Sequence, residues 1–530
     1  MINHLSLAEQ VAQMVVVRAS GHLFDQQIRY PTWEPPLATL KSWLEDLGVG
    51  GVIFVDGSAI ELAARTQQLQ SWAKFPLLLA ADIEEGVGQR FPGATWFPPP
   101  MALAAIAETD LSKAQHYAEQ MGTVTAQEAI ALGLNWILGP VVDVNNNADN
   151  PVINVRAFGE TPERVSQLAT AFIQGCQQYP ILTTAKHFPG HGDTATDSHW
   201  ELPVLPHSPE RLATLELPPF QAAIQAGVDG IMSAHLSIPA WDKTWPATLS
   251  PEILTHQLRQ TLGFQGLIVT DALVMGAIAD HYTPKEAAIL AVEAGADILL
   301  MPANPAVTIQ AVCQAVEQGR IAPDRIEASV QRILQAKTKV SPGWVPPNLP
   351  NPEAERLFTP ELLMQSQTEA LVQQILQESE QSRGLPLSLD SSSTQSPWNL
   401  VIVDNLLEAP FLDRQTPAIA LPKQFGYETH WVDCQTPDSL TDLDSRHPLT
   451  LVQLFVRGNP FRGSTEITRI GQHWIKQLLR IDRLQALLVY GSPYVMKQFL
   501  LDIPETVPFA FSYGQMLSAQ RVALERLFGL

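Results

Sequence analysis

Short apolar runs rich in Val, Ile and Leu recur through the first 300 residues of the chain. Gly, Pro or polar residues bound each run, and the intervening stretches are long enough for helices. This alternation is typical of repeated strand and helix units, and strands buried on both faces are expected to be continuously apolar. The eight predicted strands are Met14–Val17, Val52–Val55, Leu77–Ala81, Leu134–Leu138, Ile181–Ala185, Gly230–Ala234, Leu267–Thr270 and Asp297–Leu300. Their number predicts a (β/α)8 TIM-type barrel.

Polar side chains come directly after several of these runs. Asp82 follows the third run and Asp271 the seventh, while the fifth precedes Lys186 and His187 and the sixth precedes His235. Barrel enzymes build their sites from loops at the carboxyl ends of the strands. A doubly wound sheet shares the alternation, but it does not bring polar groups from so many strands to one point. The pattern therefore favours a barrel with a site at this end.

The composition changes near residue 341, where SPGWVPPNLPNPEAE contains five prolines. Such a stretch cannot continue a helix or a central strand. We therefore predict a catalytic barrel over residues 1–340, a linker over 341–360 and a second domain over 361–530.

The second domain repeats the alternation on a smaller scale. Its apolar runs are Leu400–Val403, Leu451–Phe455 and Ala486–Val489, and its helix-like segments are Glu361–Gln377, Ile470–Leu479 and Gln515–Leu527. We expect the Ser-rich stretch Ser391–Ser396 to be a loop. The pattern predicts a smaller α/β sandwich with a partly parallel sheet, and no motif in it indicates a role.

Composition excludes several classes of protein. Hydrophobic residues make up 45% of the chain, which disfavours disorder. The 33 basic and 54 acidic residues give a net charge of −21, and no basic run is present that would bind nucleic acid. The cysteines are few and far apart, which predicts neither a disulfide framework nor a C-x-x-C metal site; they are Cys176, Cys313 and Cys434.

The amino-terminal segment MINHLSLAEQVAQMVVVRASG has only a short apolar run before Arg18 and no basic leader. No run of about 20 apolar residues occurs in the chain. We therefore expect a cytoplasmic protein without a membrane anchor.

The densest polar cluster is KHFPGHGDTATDSH, which extends from Lys186 to His199. Two glycines and a proline allow this segment to turn sharply. Its residues His187, His191, Asp197 and His199 include metal-ligand types, but the turn-forming Pro and Gly between the first two do not suit a helical H-x-x-x-H site. We favour an acid/base pair in which the Asp197 carboxylate orients the His199 ring and raises its basicity.

Asp271 comes directly after an apolar run and is expected to point into the barrel mouth. A lone Asp at a strand end is often only a helix cap. Together with the Asp197 and His199 pair, however, it would supply the two groups that double-displacement glycoside hydrolysis requires.

Two further loops carry groups suited to sugar hydroxyls. Asp82 and Arg90 lie in ADIEEGVGQRF, and Arg156 lies in a loop rich in Pro and Asn. Carboxylates and guanidinium groups form strong directional hydrogen bonds to hydroxyls. A solvated surface turn is the alternative interpretation of each loop.

These motifs resemble glycoside hydrolase family 3, and within it the bacterial β-N-acetylglucosaminidases of peptidoglycan recycling. The likeness covers roughly residues 5–340. It depends on KHFPGHGDTATDSH, PVVDVNNNADNPVINVRAFGE, RFPGATWFPPPMALAA and IVTDALVMGAI, which occur in the family's order.

The resemblance implies a role for each matching residue. Asp271 would be the nucleophile, His199 the general acid/base and Asp197 its partner. The hydroxyls of the terminal sugar would be held by five residues, namely Asp82, Arg90, Arg156, Lys186 and His187. His235 would line the pocket. In the Asp82 loop, Glu85 and Val87 stand where the subgroup usually has Gly and Arg.

The sequence thus predicts a retaining exo-β-N-acetylglucosaminidase that needs no metal or organic cofactor. Its expected substrate is a small carbohydrate or a muropeptide, and we expect a monomer or weak oligomer without nucleic-acid or membrane partners. A β-glucosidase and a phosphorylase of the same family are the alternative enzymes. A sugar-binding protein that has lost turnover is the alternative outside enzymes.

Overall fold

The computed structural model describes residues 5–198, 200–341, 360–384, 386–387, 395–435, 443, 446–457 and 465–530. The chain forms two compact units. The first comprises Met1–Phe97, Ser112–Asn147 and Ala157–Thr368, and the second comprises Pro98–Leu111, Ala148–Arg156 and Glu369–Leu530. The domain boundaries predicted above remain a prediction, since residues 342–359 lie outside the described part of the chain.

The first unit is a parallel eight-stranded barrel. The strands are β1 (Val15–Ala19), β2 (Gly51–Phe54), β3 (Leu78–Ala81), β4 (Trp136–Ile137), β5 (Leu182–Phe188), β6 (Gly230–Ser233), β7 (Leu267–Val269) and β8 (Leu299–Leu300). Strand β1 pairs with both β2 and β8, and a bridge between Val269 and Ile298 joins β7 to the segment before β8. The predicted barrel is therefore confirmed.

Each predicted apolar run overlaps an observed strand, and every strand residue in the barrel is buried. Strand β5 differs from its prediction because it continues through Lys186 and His187 to Phe188. We placed those two residues after the strand, because a charged side chain ends an apolar run. Lys186 and His187 remain in the buried strand because each has a carboxylate partner.

Twelve α-helices precede residue 341 among the described residues. They are α1 (Leu7–Gln13), α2 (Leu37–Ser42), α3 (Ala59–Trp72), α4 (Pro100–Ile106), α5 (Leu111–Ala131), α6 (Pro162–Cys176), α7 (Pro209–Arg211), α8 (Leu217–Gln225), α9 (Gly276–Ala279), α10 (Pro284–Ala294), α11 (Pro305–Glu317) and α12 (Pro323–Val340). π-helical turns cover Trp43–Leu47, Leu212–Glu216 and Glu252–Thr261. The middle turn joins α7 to α8.

Polar caps begin several of these helices. Ser58 and Glu61 form a reciprocal capping box at the start of α3, so two orphan backbone donors gain partners. At three further helices a side-chain oxygen accepts from one backbone amide of the first turn, at Thr161, Thr283 and Asn304.

The second unit contains a six-stranded sheet. Its strands are β9 (Gln381–Arg383), β10 (Trp398–Val403), β11 (Glu428–Val432), β12 (Thr450–Val456), β13 (Leu484–Gly491) and β14 (Phe509–Ser512), in the spatial order β11-β10-β12-β13-β14-β9. All neighbours are parallel except β14 and β9. The accompanying helices are α13 (Ser366–Ser379), α14 (Pro417–Gln424), α15 (Thr465–Arg480), α16 (Pro493–Asp502) and α17 (Leu517–Phe528).

This arrangement confirms the predicted smaller α/β domain with a partly parallel sheet. The prediction missed β9, β11 and β14, because two are short and the face of β11 is only half-buried and reads as polar. In the predicted Ser-rich loop, residues 391–394 lie outside the described residues. The three cysteines are free, and no described helix is long and apolar enough to cross a bilayer.

Candidate active site

A buried lysine lies at the carboxyl end of β5 between two carboxylates of the loop after β3. Lys186 Nζ is 2.7 Å from Asp82 Oδ1 and 2.6 Å from Glu84 Oε1. Glu84 is buried, whereas 31% of the Asp82 side chain is exposed. Two carboxylates facing one ammonium leave an excess of negative charge. The exposed side of Asp82 can therefore accept a hydrogen bond from a ligand hydroxyl.

The remainder of the Asp82 loop is held by its own contacts. Arg90 Nε donates to the Asp82 carbonyl at 3.2 Å, so the two predicted binding residues are neighbours. Glu85 and Val87, which depart from the subgroup's usual pattern, are both buried. Glu85 accepts a hydrogen bond from Trp96 Nε1 at 2.9 Å. These two departures therefore contribute to the packing inside the loop.

Asp143, from the loop after β4, holds the end of β5. Its carboxylate lies 2.7 Å from His187 Nδ1 and accepts from the backbone amides of His187 and His191. Burial acts to raise the pKa of Asp143, but its histidine partners hold that pKa below its usual range. An ionised carboxylate at Nδ1 favours a proton on that nitrogen, which leaves His187 Nε2 as the ring nitrogen without a partner among the described residues.

His191 connects the start of the following loop to its end. Its Nδ1 lies 2.8 Å from Thr194 Oγ1, and its Nε2 lies 3.0 Å from Ser198 Oγ. Burial lowers the pKa of His191 to about 4, against the opposing effect of Asp143, so the ring is neutral near pH 7. Because both ring nitrogens have protein partners, His191 is not available as the metal ligand that the residue types alone would allow.

Asp197 and Ser198 lie where this loop turns. The Asp197 carbonyl accepts from the backbone amides of Trp200 and Glu201, each at 3.1 Å, and the Asp197 side chain is half-exposed. His199 lies outside the described residues, so its predicted pairing with Asp197 stays a prediction.

Asp271 comes two residues after the end of β7 and is half-exposed. Its Oδ1 accepts from the Ala272 amide at 2.7 Å, which orients the carboxylate. Its negative charge also acts to raise the pKa of His191, although burial has the larger effect. Asp271 and the loop that follows β5 thus lie at the same end of the parallel barrel.

His235 has a supporting position. Its ring is fully buried, with Nδ1 2.8 Å from Thr248 Oγ1 and Nε2 3.0 Å from the Ala272 carbonyl. A carbonyl only accepts, so Nε2 carries the proton. We predicted that His235 would line the pocket. Both ring nitrogens contact the protein, and Nε2 contacts the residue next to Asp271, so the place of His235 in the pocket lining stays a prediction.

Arg156 lies in the segment Ala148–Arg156, which groups with the second unit. It is buried, and its Nη1 donates to the Val152 carbonyl at 3.0 Å. Its predicted contact with the sugar stays a prediction.

Sequence reasoning missed two carboxylates of this site, Glu84 and Asp143. Both lie in motifs that we singled out, two residues after Asp82 and just before the Asn-rich stretch of PVVDVNNN. An acidic residue close to the end of a barrel strand was the signal available for each.

Two family models together match most of the chain. Residues 6–336 match the glycosyl hydrolase family 3 N terminal domain, and residues 390–529 match the bacterial glycosyl hydrolase family 3 C-terminal domain. Among curated relatives, β-hexosaminidase A of Pseudoalteromonas piscicida is 29% identical over 92% of this chain and 84% of its own length.

Solved structures show the same similarity. A family 3 β-N-acetylglucosaminidase from Paenibacillus sp. str. FPU-7 superposes with a TM-score of 0.78 at 30% identity, over 99% of this chain and 97% of that one. A β-glucoside phosphorylase superposes with a TM-score of 0.80 at 25% identity, over 100% of this chain and 93% of that one. This chain belongs to glycosyl hydrolase family 3.

Proposed function

We propose that this glycoside hydrolase is a retaining exo-β-N-acetylglucosaminidase, which removes terminal β-linked N-acetylglucosamine. The main support is the convergence of Asp82, Lys186, His187 and Asp271 at one end of the barrel, in a chain that carries the KHFPGHGDTATDSH loop. The β-hexosaminidase name of a relative and the β-N-acetylglucosaminidase name of a structural neighbour agree with this substrate.

In the proposed first step, an Asp271 carboxylate oxygen attacks the anomeric carbon while His199 donates its proton to the glycosidic oxygen. The bond between that carbon and the leaving oxygen breaks, and a glycosyl-enzyme ester forms. In the second step, His199 takes a proton from water, whose oxygen attacks the same carbon and releases Asp271. Asp197 stabilises the protonated ring of His199 in both steps.

Sugar binding is assigned to the groups around Lys186. The exposed side of the Asp82 carboxylate accepts from a hydroxyl, and the free nitrogen of His187 supplies a further polar contact. Arg90 completes the proposed set. We propose fragments of peptidoglycan as the natural substrate, and this can be tested by incubating the protein with muropeptides and identifying the released sugar.

The first experiment compares nitrophenol release from the β-N-acetylglucosaminide and the β-glucoside of nitrophenol, with EDTA present. We expect a strong preference for the N-acetyl sugar that EDTA does not change. A preference for glucose would favour the β-glucosidase alternative, and no release from either substrate would overturn the proposal.

The nucleophile is tested with Asp271→Asn, which keeps the shape of the side chain but removes its charge. We expect kcat/KM to fall by about 10⁴-fold, because an amide cannot form the ester intermediate. Asp280→Asn is the matched control, since Asp280 is an exposed acid nine residues further along. Full activity of the Asp271 variant would remove it from the mechanism.

The acid is tested with His199→Ala on aryl substrates whose leaving groups differ in basicity. We expect kcat/KM for the methoxyphenyl glycoside to fall by about 10²–10⁴-fold, because methoxyphenolate needs a proton to depart. The dinitrophenyl glycoside needs no proton and should change little. Equal losses on both substrates would contradict acid catalysis.

Phosphorolysis is the second candidate, and the similarity to a β-glucoside phosphorylase favours it. A histidine acid/base does not repel a phosphate nucleophile as a carboxylate would. Product analysis with phosphate and with sulfate separates the two reactions, since only a phosphorylase forms a sugar 1-phosphate.

A further inference from the structure

Four ionisable side chains form a cluster beside the loop that follows β5. This Arg211 cluster consists of Asp193, His207, Arg211 and Glu216, all in the first unit. Asp193 belongs to the loop, His207 precedes α7, Arg211 ends α7, and Glu216 ends the π-helical turn that follows. The cluster takes no part in the mechanism proposed above.

Arg211 connects the two carboxylates. Its Nη2 is 3.1 Å from Asp193 Oδ2 and 3.3 Å from Glu216 Oε1. His207 Nε2 lies 2.7 Å from the same Asp193 oxygen. Asn146, oriented so that its nitrogen donates to the Val144 carbonyl, places its oxygen 2.8 Å from Arg211 Nη2. One guanidinium nitrogen therefore contacts three segments of the chain.

Glu216 has an unusual environment, because only 3% of its side chain is exposed and its carboxylate oxygens accept no hydrogen bond from the described residues, although Arg211 Nη2 lies 3.3 Å from Oε1. Burial raises the pKa of Glu216, while the positive charge of Arg211 acts to lower it. A buried carboxylate needs a cation close by to stay ionised. The Arg211 guanidinium supplies that charge.

The loop backbone lies directly against these partners. A Cβ atom on Gly190 would come within 2.9 Å of Glu216 Cβ, and one on Gly192 would come within 1.7 Å of the Val144 carbonyl oxygen. Glycine is therefore required at both positions for the loop to pack this closely. Further along the loop, the ion pair between Asp193 and Arg211 holds it against the same segment.

A divalent cation is the competing occupant, because ligand atoms of Asp193, His207 and Glu216 lie within 4.8 Å of one another. Arg211 Nη2, however, already contacts both carboxylates at ion-pair distance. A second cation between them would be repelled by the guanidinium. The positive charge that this cluster requires thus comes from the chain itself.

We propose that Arg211 is a positioning residue for the acid/base, acting through Asp193 on the loop that carries Asp197 and His199. Asp193 precedes Asp197 by four residues, and the His191 contacts to Thr194 and Ser198 transmit its position along that interval. This inference rests on the proposed function, since it requires His199 to protonate the leaving group.

The effect of losing Arg211 should depend on the leaving group. Proton donation requires the ring of His199 to meet the glycosidic oxygen, and a displacement of about 1 Å can cost 10²-fold in rate. Attack by Asp271 on a substrate with an activated leaving group does not need that proton. Sugar binding by Asp82 and Lys186 involves the loop after β3 and strand β5 itself, and should be little changed.

The experiment compares Arg211→Ala, Arg211→Lys and Arg320→Ala on the methoxyphenyl and dinitrophenyl glycosides. Arg320 is the matched control, because it is an arginine of the same unit that is also paired with two carboxylates, Glu286 and Glu293, at a more exposed position. For Arg211→Ala we expect kcat/KM to fall about 10–100-fold on the methoxyphenyl substrate and less than about threefold on the dinitrophenyl one. Arg211→Lys should retain part of the activity, and Arg320→Ala should resemble the wild type.

Chemical rescue gives a second measurement. Guanidinium ion, at concentrations far below those that unfold proteins, should restore methoxyphenyl activity to Arg211→Ala but not to His199→Ala. If Arg211→Ala does not fold, Asp193→Asn tests the same ion pair with a smaller change and should show the same dependence on the leaving group.

Three outcomes would overturn the inference. Equal losses on both substrates would indicate a merely structural role, and unchanged kinetics would indicate no role. Loss of wild-type activity in EDTA that Zn²⁺ or Mn²⁺ restores would make the cluster a metal site. Failure of the proposed function is distinguishable, because His199→Ala would then also lack dependence on the leaving group.

Discussion

His191 shows how one buried side chain can make the stability of the fold depend on pH. Its ring is buried and links Thr194 to Ser198. Burial lowers its pKa to about 4, whereas an unfolded histidine has a value near 6.5. Between these values the unfolded chain binds a proton that the folded chain does not.

We therefore predict that this histidine makes the free energy of unfolding decrease as pH falls from about 6.5 to 4, by up to about 1.4 kcal/mol per pH unit. His191→Asn should be less stable at pH 7, because its Ser198 contact is lost, but should depend less on pH in this window. Chemical denaturation at several pH values measures both effects.

The control for this prediction is His256→Asn, since His256 is exposed and pairs only with neighbouring polar groups. Parallel stability curves for the wild type and His191→Asn would mean that another group causes the pH dependence.

At the scale of elements, the buried Asp297 stabilises the contact between β7 and the segment before β8, where the barrel closes. A single bridge joins β7 to the segment before β8. Asp297 in that segment accepts from the Ile268 amide at 3.0 Å and lies 2.7 Å from Arg259 Nη2. Arg325 and Arg332 of α12 approach its other oxygen. The carboxylate thus ties both strands to their outer helices.

Asp297→Asn should lower the free energy of unfolding by about 3–5 kcal/mol, because it removes the only negative partner that the described residues show for three arginines. Burial already lowers the pKa of Arg259 to about 10, although Asp297 opposes the shift. The change is measured by urea unfolding against the Asp280→Asn control. A loss below about 1 kcal/mol would show that the bridge and helices close the barrel without Asp297.

The positions of the strands could be predicted wherever the strand consists only of buried apolar residues. Strands β2, β3 and β7 are apolar on both faces, so their runs of Val, Ile and Leu were sufficient to locate them. Strand β5 extends beyond its run because Lys186 and His187 are buried against carboxylates from other loops. The hydropathy pattern of the sequence contains no information about partners from distant loops.

At the scale of the whole molecule, the net charge of the chain is the property that composition determines. The net charge of −21 at pH 7 reaches zero near the isoelectric point of about 5.0. Repulsion between molecules of like net charge keeps a protein soluble, whereas the net charge does not determine the fold.

We predict a solubility minimum near pH 5, which turbidity measurements across pH 4–8 would locate. Because proton uptake by His191 in the unfolded chain lowers the free energy of unfolding in the same range, activity lost near pH 5 should be compared with the amount of soluble folded protein. High solubility at pH 5 would contradict the prediction, because it would mean that the net charge is not what keeps the protein soluble.

The sequence by itself determined the family, the barrel, the smaller α/β domain and the residue types of the site, because these depend on local apolar runs and on contiguous motifs. Only the tertiary structure decided which groups face one another. Glu84 with Lys186, Asp143 with His187, and Arg211 with Asp193 and Glu216 are pairs of this kind. It also placed the His235 ring against the Ala272 carbonyl, next to Asp271. The physical reason is that a buried charge is tolerated only beside a partner, and the fold can take that partner from a distant part of the chain.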